Sequence, residues 1–333
     1  MALLDIIGQE KALRILFGTL RRGRVPSAVL LSGDTGIGKM RAAVNYAKAV
    51  NCLSPVEDDC CDRCASCRKT DAGAHPDVIT LLPEDGEIRI DAIRRLEEAL
   101  SLKPFEGRRK VVIIDDADAM NLNAANAFLK TLEEPPRDSL LLLVASNPDG
   151  LPDTIRSRCT SVRFYPLSDE ECRRVLSGAV EGGALDAVLR LSMGRPGLAL
   201  SGDLAEERAW FLKLLHSMVQ GDAREVWEDK NAMRSWLDQA TLFLRDRVVF
   251  AVTGSGADLL FGEEPEGFLP AAVPGEGRGG GPAGGQTDRL LRAAFEAYRQ
   301  LLSLRALLDF NLNKSISWNY AAQIMRSLTA HRS

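Results

Sequence analysis

No apolar run in this 333-residue chain reaches the 18 or so residues that a membrane span needs. Its first residues, MALLDIIGQEKALRIL, have neither a basic leader nor a small-residue cleavage site, so a secretory signal is not expected. Charge of one sign is also missing. There are 42 Lys+Arg against 46 Asp+Glu, a net of −4, which argues against a protein that grips DNA through a general positive field. With 45% apolar and 26% charged residues the composition is that of a globular protein, and disordered or collagen-like readings are excluded. The length predicts two or three domains.

Cysteine is unusually distributed. There are seven, and Cys52, Cys60, Cys61, Cys64 and Cys67 fall within sixteen residues. In a chain expected to stay in the reducing cytoplasm, this cluster reads as a metal site before it reads as disulfides. Cys52, Cys61, Cys64 and Cys67 offer four thiolates with knuckle spacing, which favours a closed, structural zinc site. Cys60 competes for the Cys61 slot at poorer spacing, and His75 is a spare ligand or a turn residue.

Up to about residue 165 short apolar runs alternate with helical patterns. Strands are predicted at Ser27–Ser32, Val78–Leu82, Lys110–Ile114, Leu140–Ala145 and Ser161–Phe164. Helices are predicted at Lys39–Asn51, at Asp91–Leu102 with Asp91 as N-cap, and at Asn123–Glu133, stopped by Pro135-Pro136. Strands without polar alternation, separated by helices, imply an α/β fold with a parallel sheet covered on both faces. Short helices are expected from Ser168 to about Gly202, then almost only helix, with Trp210–Met218, Leu290–Leu307 and Ser317–Leu328 as clear cases. Gly254–Gly285 holds eleven of the 28 glycines and four of the 15 prolines and reads as a flexible insertion.

Two nucleotide signatures lie in the α/β part. Gly33-Asp-Thr-Gly36-Ile-Gly38-Lys39-Met40 follows a strand and opens a helix, as a P-loop does. Its backbone N–H groups and Lys39 suit phosphate. The last position needs a Ser or Thr hydroxyl for Mg²⁺, and the Met40 thioether has little affinity for a hard cation. Val111-Val-Ile-Ile-Asp115-Asp116 is a Walker B strand, on which Asp115 would meet Mg²⁺. Asp116 stands where a Glu usually polarises the attacking water and is one methylene too short.

The whole pattern resembles the clamp-loader branch of the AAA+ family, and within it the delta-prime subunits of bacterial DNA polymerase III. The resemblance rests on Ile7-Gly-Gln9-Glu10, the P-loop, the cysteine insertion after its helix, Ala74-His-Pro-Asp77, and the run from Ser101 to Lys110. It extends to Asp115-Asp-Ala-Asp118, the run from Ala124 to Pro136, and Ser157-Arg158-Cys159. Coverage is nearly continuous over residues 5–200.

This resemblance implies a RecA-like AAA+ domain at 1–166 with a zinc knuckle at 52–67, a helical lid at 167–203, and an all-α collar at 204–333 with an insertion at 254–286. It implies a stator in a pentameric ring with gamma/tau and delta subunits, acting with them on the sliding clamp and primed DNA in the cytoplasm. Arg158 would serve a neighbour's ATP as an arginine finger. Ser146 and Asn147 take the sensor 1 position, and Arg195 that of sensor 2. Hydrolysis by the chain's own P-loop is not expected, and whether ATP and Mg²⁺ bind there is left open. Two alternatives stand beside this reading: a gamma/tau-like ATPase motor, and a zinc-bearing DNA binder outside replication.

Overall fold

The computed structural model describes residues 1–179, 185–201, 203–220, 227, 230–253, 282–309 and 313–329. The chain divides into two compact units, one formed by 1–182 with 192–200, the other by 183–191 with 201–333.

The first unit is built on five parallel strands: β1 (Ala28–Ser32), β2 (Val78–Leu81), β3 (Lys110–Ile114), β4 (Ser139–Ala145) and β5 (Thr160–Arg163). Their order is β2-β3-β4-β1-β5. All residues of β1, β3 and β4 are buried, which is why these strands read as unbroken apolar runs. The connecting helices are α2 (Lys39–Asn51), α3 (Ala65–Asp71), α4 (Ile90–Ser101), α5 (Leu122–Glu133) and α6 (Asp153–Arg156), preceded by α1 (Glu10–Arg21). Ile93, Leu96, Val112, Phe128, Leu141 and Leu143 belong to one core cluster, with Leu96 4% exposed and the other five fully buried. From β1 the chain crosses to the far edge, returns through β3 to β4, and then places β5 on the other side of β1. That reversal opens a crevice beyond the carboxyl end of β1, where ligands of open α/β sheets bind.

Some boundaries depart from the sequence expectations. The N-cap of α4 is Arg89, and Asp91 lies inside the first turn, where its charge still favours the helix dipole. Asn121 caps α5 through its side chain, which accepts from the Ala124 N–H at 2.9 Å. Helix α1, which the strand–helix pattern did not single out, buries Ala12, Leu13 and Leu16. After β5 come α7 (Asp169–Leu176), α8 (Leu185–Ser192) and α9 (Pro196–Leu200).

The second unit contains α10 (Asp203–Gln220), α11 (Lys230–Thr253), α12 (Pro282–Ala306) and α13 (Lys314–Thr329). Phe211, Leu215, Trp236, Phe243, Leu301, Trp318 and Met325 are buried together. The apolar face of Trp210–Met218 therefore packs largely within its own unit: Phe211, Leu214, Leu215 and Met218 are all core residues. Helix α12 begins at Pro282, eight residues before the expected Leu290, so the last residues of the expected insertion are helical; residues 254–281 lie outside those described.

Candidate functional site: a P-loop, a cysteine cluster and an arginine at the opposite end of the strands

The P-loop leaves β1 at Gly33 and turns into α2 at Gly38. Gly33 takes φ +140°, and a Cβ there would meet the Phe164 carbonyl oxygen at 2.5 Å. Gly36 takes φ +80°, with Leu198 of α9 against it, and its carbonyl accepts the Gly197 N–H at 2.7 Å. The turn Gly194-Arg195-Pro196-Gly197, which carries the half-buried Arg195, is thus bonded to the phosphate loop itself.

Lys39 is 5% exposed. Its ammonium donates to the carbonyls of Gly33 and Asp34, both at 2.6 Å, and to Ser146 Oγ at 3.3 Å. Burial pulls its pKa down, against the pull of Asp116, Asp118, Asp115 and Asp34. Burial raises the pKa of Asp115 and of Asp116, and for Asp116 the neighbouring carboxylates Asp115 and Asp118 add to the rise. Asp116 adopts φ +42°, a left-handed conformation uncommon for a residue with a side chain. Asp118 was not singled out as a site residue, yet it ties two strand ends together. Its carboxylate accepts the N–H of Ser146 at 3.2 Å and of Asn147 at 2.8 Å. Lys39, Asp115, Asp116, Ser146 and Asn147 therefore gather at the carboxyl ends of β1, β3 and β4, with half-buried Met40 in the first turn of α2. The cradle fits phosphate; the donor set does not fit Mg²⁺ at position 40.

The cysteine cluster is assembled by helix ends. Cys52 follows α2 as its C-cap and Cys64 is the N-cap of α3. The thiol sulfurs of Cys52, Cys61, Cys64 and Cys67 all lie within 4.8 Å of one another. Cys64 and Cys67 are 3.5 Å apart, and Cys67 and Cys52 3.8 Å. A tetrahedral zinc–thiolate site with bonds of about 2.3 Å has sulfur–sulfur edges of about 3.8 Å, so these residues fit zinc. Burial raises Cys64, but backbone N–H groups of Cys67 and Leu53 and the neighbouring thiols more than offset it, and its pKa falls to about 6. Cys61 is also lowered, chiefly by the Arg63 N–H.

Cys60 points elsewhere: burial and Asp59 push its thiol up to about 12, and its sulfur lies 4.0 Å from the Met1 carbonyl. His75 is not a ligand. Its Nε2 pairs with Ser66 Oγ at 3.1 Å, and its Nδ1 accepts the Asp77 N–H at 3.1 Å. Behind the knuckle the fully buried Lys48 pairs with Asp62 and, at 2.8 Å, with Asp71.

Arg158 lies at the opposite end of the strands. It follows α6 and precedes β5, which runs parallel to β1 in the register Val29↔Thr160 to Ser32↔Arg163. The P-loop leaves the other end of this pair, about 10 Å further along the strands. The exposed guanidinium donates to the Thr154 carbonyl at 3.0 Å and to Glu133 Oε1 at 2.7 Å. Cys159 packs half-buried against the sheet core and fixes the chain beside it; burial raises its thiol to about 11. Cys172 is a buried residue of α7.

A family model described as DNA polymerase III, delta subunit, matches residues 8–168. The delta-prime subunit of DNA polymerase III from Bacillus subtilis is 31% identical over 255 residues, which cover 72% of this chain and 76% of that protein. This chain belongs to the delta-prime family of DNA polymerase III clamp-loader subunits. The Pseudomonas aeruginosa delta-prime subunit is 40% identical over 199 residues, 58% of this chain and 60% of that one. The tau subunit of Bacillus subtilis is 30% identical, but the match spans only 43% of its length. Among solved structures, a DNA polymerase III gamma subunit-related protein from Thermotoga maritima covers 94% of this chain and 99% of its own, at 18% identity and a TM-score of 0.45. No described helix is long and apolar enough to cross a membrane.

Proposed function

We propose that this chain is the stator of a clamp loader, offering Arg158 to the ATP held by a neighbouring subunit while its own P-loop does not hydrolyse ATP. The observation that carries this reading is the separation of the two features. Arg158 and its partners Thr154 and Glu133 sit at the amino ends of the strands, and the P-loop sits at the carboxyl ends. A guanidinium at that end serves phosphate only if another chain brings it. There it would stabilise charge developing on the transferred phosphoryl oxygens, an effect worth on the order of 10³–10⁵ in rate in GTPases.

Met40 in place of a hydroxyl deprives the chain's own site of one Mg²⁺ ligand, and Asp116 stands short of an attacking water. Lys39, Asp115, Asn147 and Arg195 are read as remnants of a nucleotide site that now hold the loop together. Cys52, Cys61, Cys64 and Cys67 would hold one Zn²⁺. With four thiolates and no open position the metal supplies folding free energy and no catalysis. Residues 1–166 are read as the RecA-like domain, 167–203 as the lid and 204–333 as the collar. The partners are the gamma/tau and delta subunits, and through them the sliding clamp and primed DNA.

The test has two arms. The chain alone is assayed for ATP hydrolysis, then mixed with gamma/tau and delta subunits and followed by size-exclusion chromatography. No turnover by the chain alone, with a stable complex on mixing, is the expected result. Mg²⁺-dependent turnover by the isolated chain would favour the motor reading instead.

A further inference from the structure

We infer that Glu133 is the positioning residue of Arg158: its carboxylate holds the guanidinium in the pose from which it meets a neighbouring subunit's phosphates. This rests on the reading of Arg158 as a finger acting in trans. Glu133 is the last residue of α5, and Arg158 follows α6, so the pair joins two elements 25 residues apart in sequence.

The backbone at Arg158 is already fixed. Its N–H donates to the Ile155 carbonyl at 3.1 Å, and Cys159 anchors the next residue against the sheet core. What remains free is the long side chain, which has many rotamers to lose before it can meet a phosphate. Two acceptors remove that freedom. Nη1 donates to the Thr154 carbonyl at 3.0 Å, with Ser157 Oγ at 3.4 Å, and Nη2 donates to Glu133 at 2.7 Å. These contacts engage the two terminal nitrogens, and Nε has no partner among the described residues. A guanidinium carries five N–H donors, so part of the fork still faces outward for phosphate oxygens.

The helix dipole disfavours an acid at this place. The C-terminus of a helix is the negative end of its dipole, and Glu133 with Glu134 adds charge of the same sign there. The electrostatic gain for Glu133 comes from Arg158. The pair is exposed, 36% for Arg158 and 53% for Glu133. Such pairs shift an equilibrium by no more than about fivefold. That is enough to bias a rotamer and weak enough to yield to a polyphosphate of higher charge.

The test uses the complete complex, reconstituted from this chain and the gamma/tau and delta subunits of the same organism. Its ATPase is measured with wild-type chain, Glu133→Gln, Arg158→Ala and the double variant. Glu133→Gln is expected to lower kcat about two- to fivefold, with KM for ATP unchanged, because a neighbour binds the nucleotide. The loss shrinks at high salt, where the wild-type pair is screened. The double variant matches Arg158→Ala alone. If Glu133→Gln lowers the melting temperature, Glu133→Asp replaces it, keeping the charge with a shorter reach, and an intermediate kcat is expected. Wild-type kcat for Glu133→Gln beside a slowed Arg158→Ala overturns the role of Glu133 alone. So does a double variant slower than Arg158→Ala. A complex unaffected by Arg158→Ala overturns the finger reading and this inference with it.

Discussion

Replacing Asp77 by Asn is expected to be the most damaging single change outside the strands. Asp77 is fully buried just before β2. Its Oδ1 accepts the Phe105 N–H at 2.7 Å, and its Oδ2 accepts those of Glu106 at 2.8 Å and Gly107 at 2.7 Å. It thereby closes the loop between α4 and β3. Hydrogen bonds to a charged acceptor contribute about 1.5–3 kcal/mol each. An amide keeps one oxygen and turns an NH₂ toward backbone donors. At least one N–H would lose its acceptor, and the charge assistance on all three would go. We expect a loss of about 3 kcal/mol, allowing for partial relaxation.

Burial alone would raise the Asp77 pKa, but the three N–H groups outweigh it and hold the carboxyl below its usual range. A depressed carboxylate contributes stability that is present above its unfolded value of about 3.9 and is lost as pH falls through the folded value. The gap between wild type and Asp77→Asn should therefore be full at pH 7 and close in acid. His75 beside it, lowered by burial, costs further stability below its unfolded value of about 6.5, so the two chains are compared at each pH. The assay is urea unfolding read by far-ultraviolet circular dichroism. All four tryptophans, at 210, 227, 236 and 318, lie in the helical unit, so tryptophan fluorescence reports that unit separately. A loss below about 1 kcal/mol, or a gap that does not narrow in acid, would refute the reasoning.

Three other outcomes are expected. Metal analysis of the purified chain should find one zinc per molecule, lost in Cys64→Ser and kept in Cys60→Ser. Equal zinc in both variants would remove Cys64 from the site. Met40→Thr should give Mg²⁺-dependent nucleotide binding at least about tenfold tighter than wild type in a labelled-nucleotide assay, because the missing hydroxyl returns. Unchanged affinity would show that the block lies elsewhere, such as the Arg195 turn packed on Gly36. Gly36→Ala should lower stability by about 1–3 kcal/mol, since φ +80° and the contact with Leu198 both resist a Cβ; a neutral melting curve would contradict this.

The strands were legible because β1, β3 and β4 are buried on both faces, and burial removes the polar alternation that otherwise blurs a short run. The cysteine cluster was legible through spacing alone, and the geometry of the four sulfurs agrees with the knuckle pattern. The start of α12 was missed because glycines at 284 and 285 follow Pro282, and such residues read as loop; the helix nevertheless begins there. Asp77, Asp118 and Lys48 were missed for another reason. Each acts on groups 14 to 47 residues away in sequence, through backbone N–H groups, a backbone carbonyl or carboxylates that no periodicity marks. The sequence marked Asp77 and Asp118 only as the last residues of the motifs Ala74-His-Pro-Asp77 and Asp115-Asp-Ala-Asp118, with nothing to say what either carboxylate binds.

The most direct measurement of the central claim is the ATP hydrolysis rate of a reconstituted clamp loader containing Arg158→Ala in place of the wild-type chain. The account predicts a rate lowered at least about tenfold at the site this chain serves, with complex assembly and the circular dichroism spectrum unchanged. An assembled complex hydrolysing ATP at the wild-type rate would contradict it.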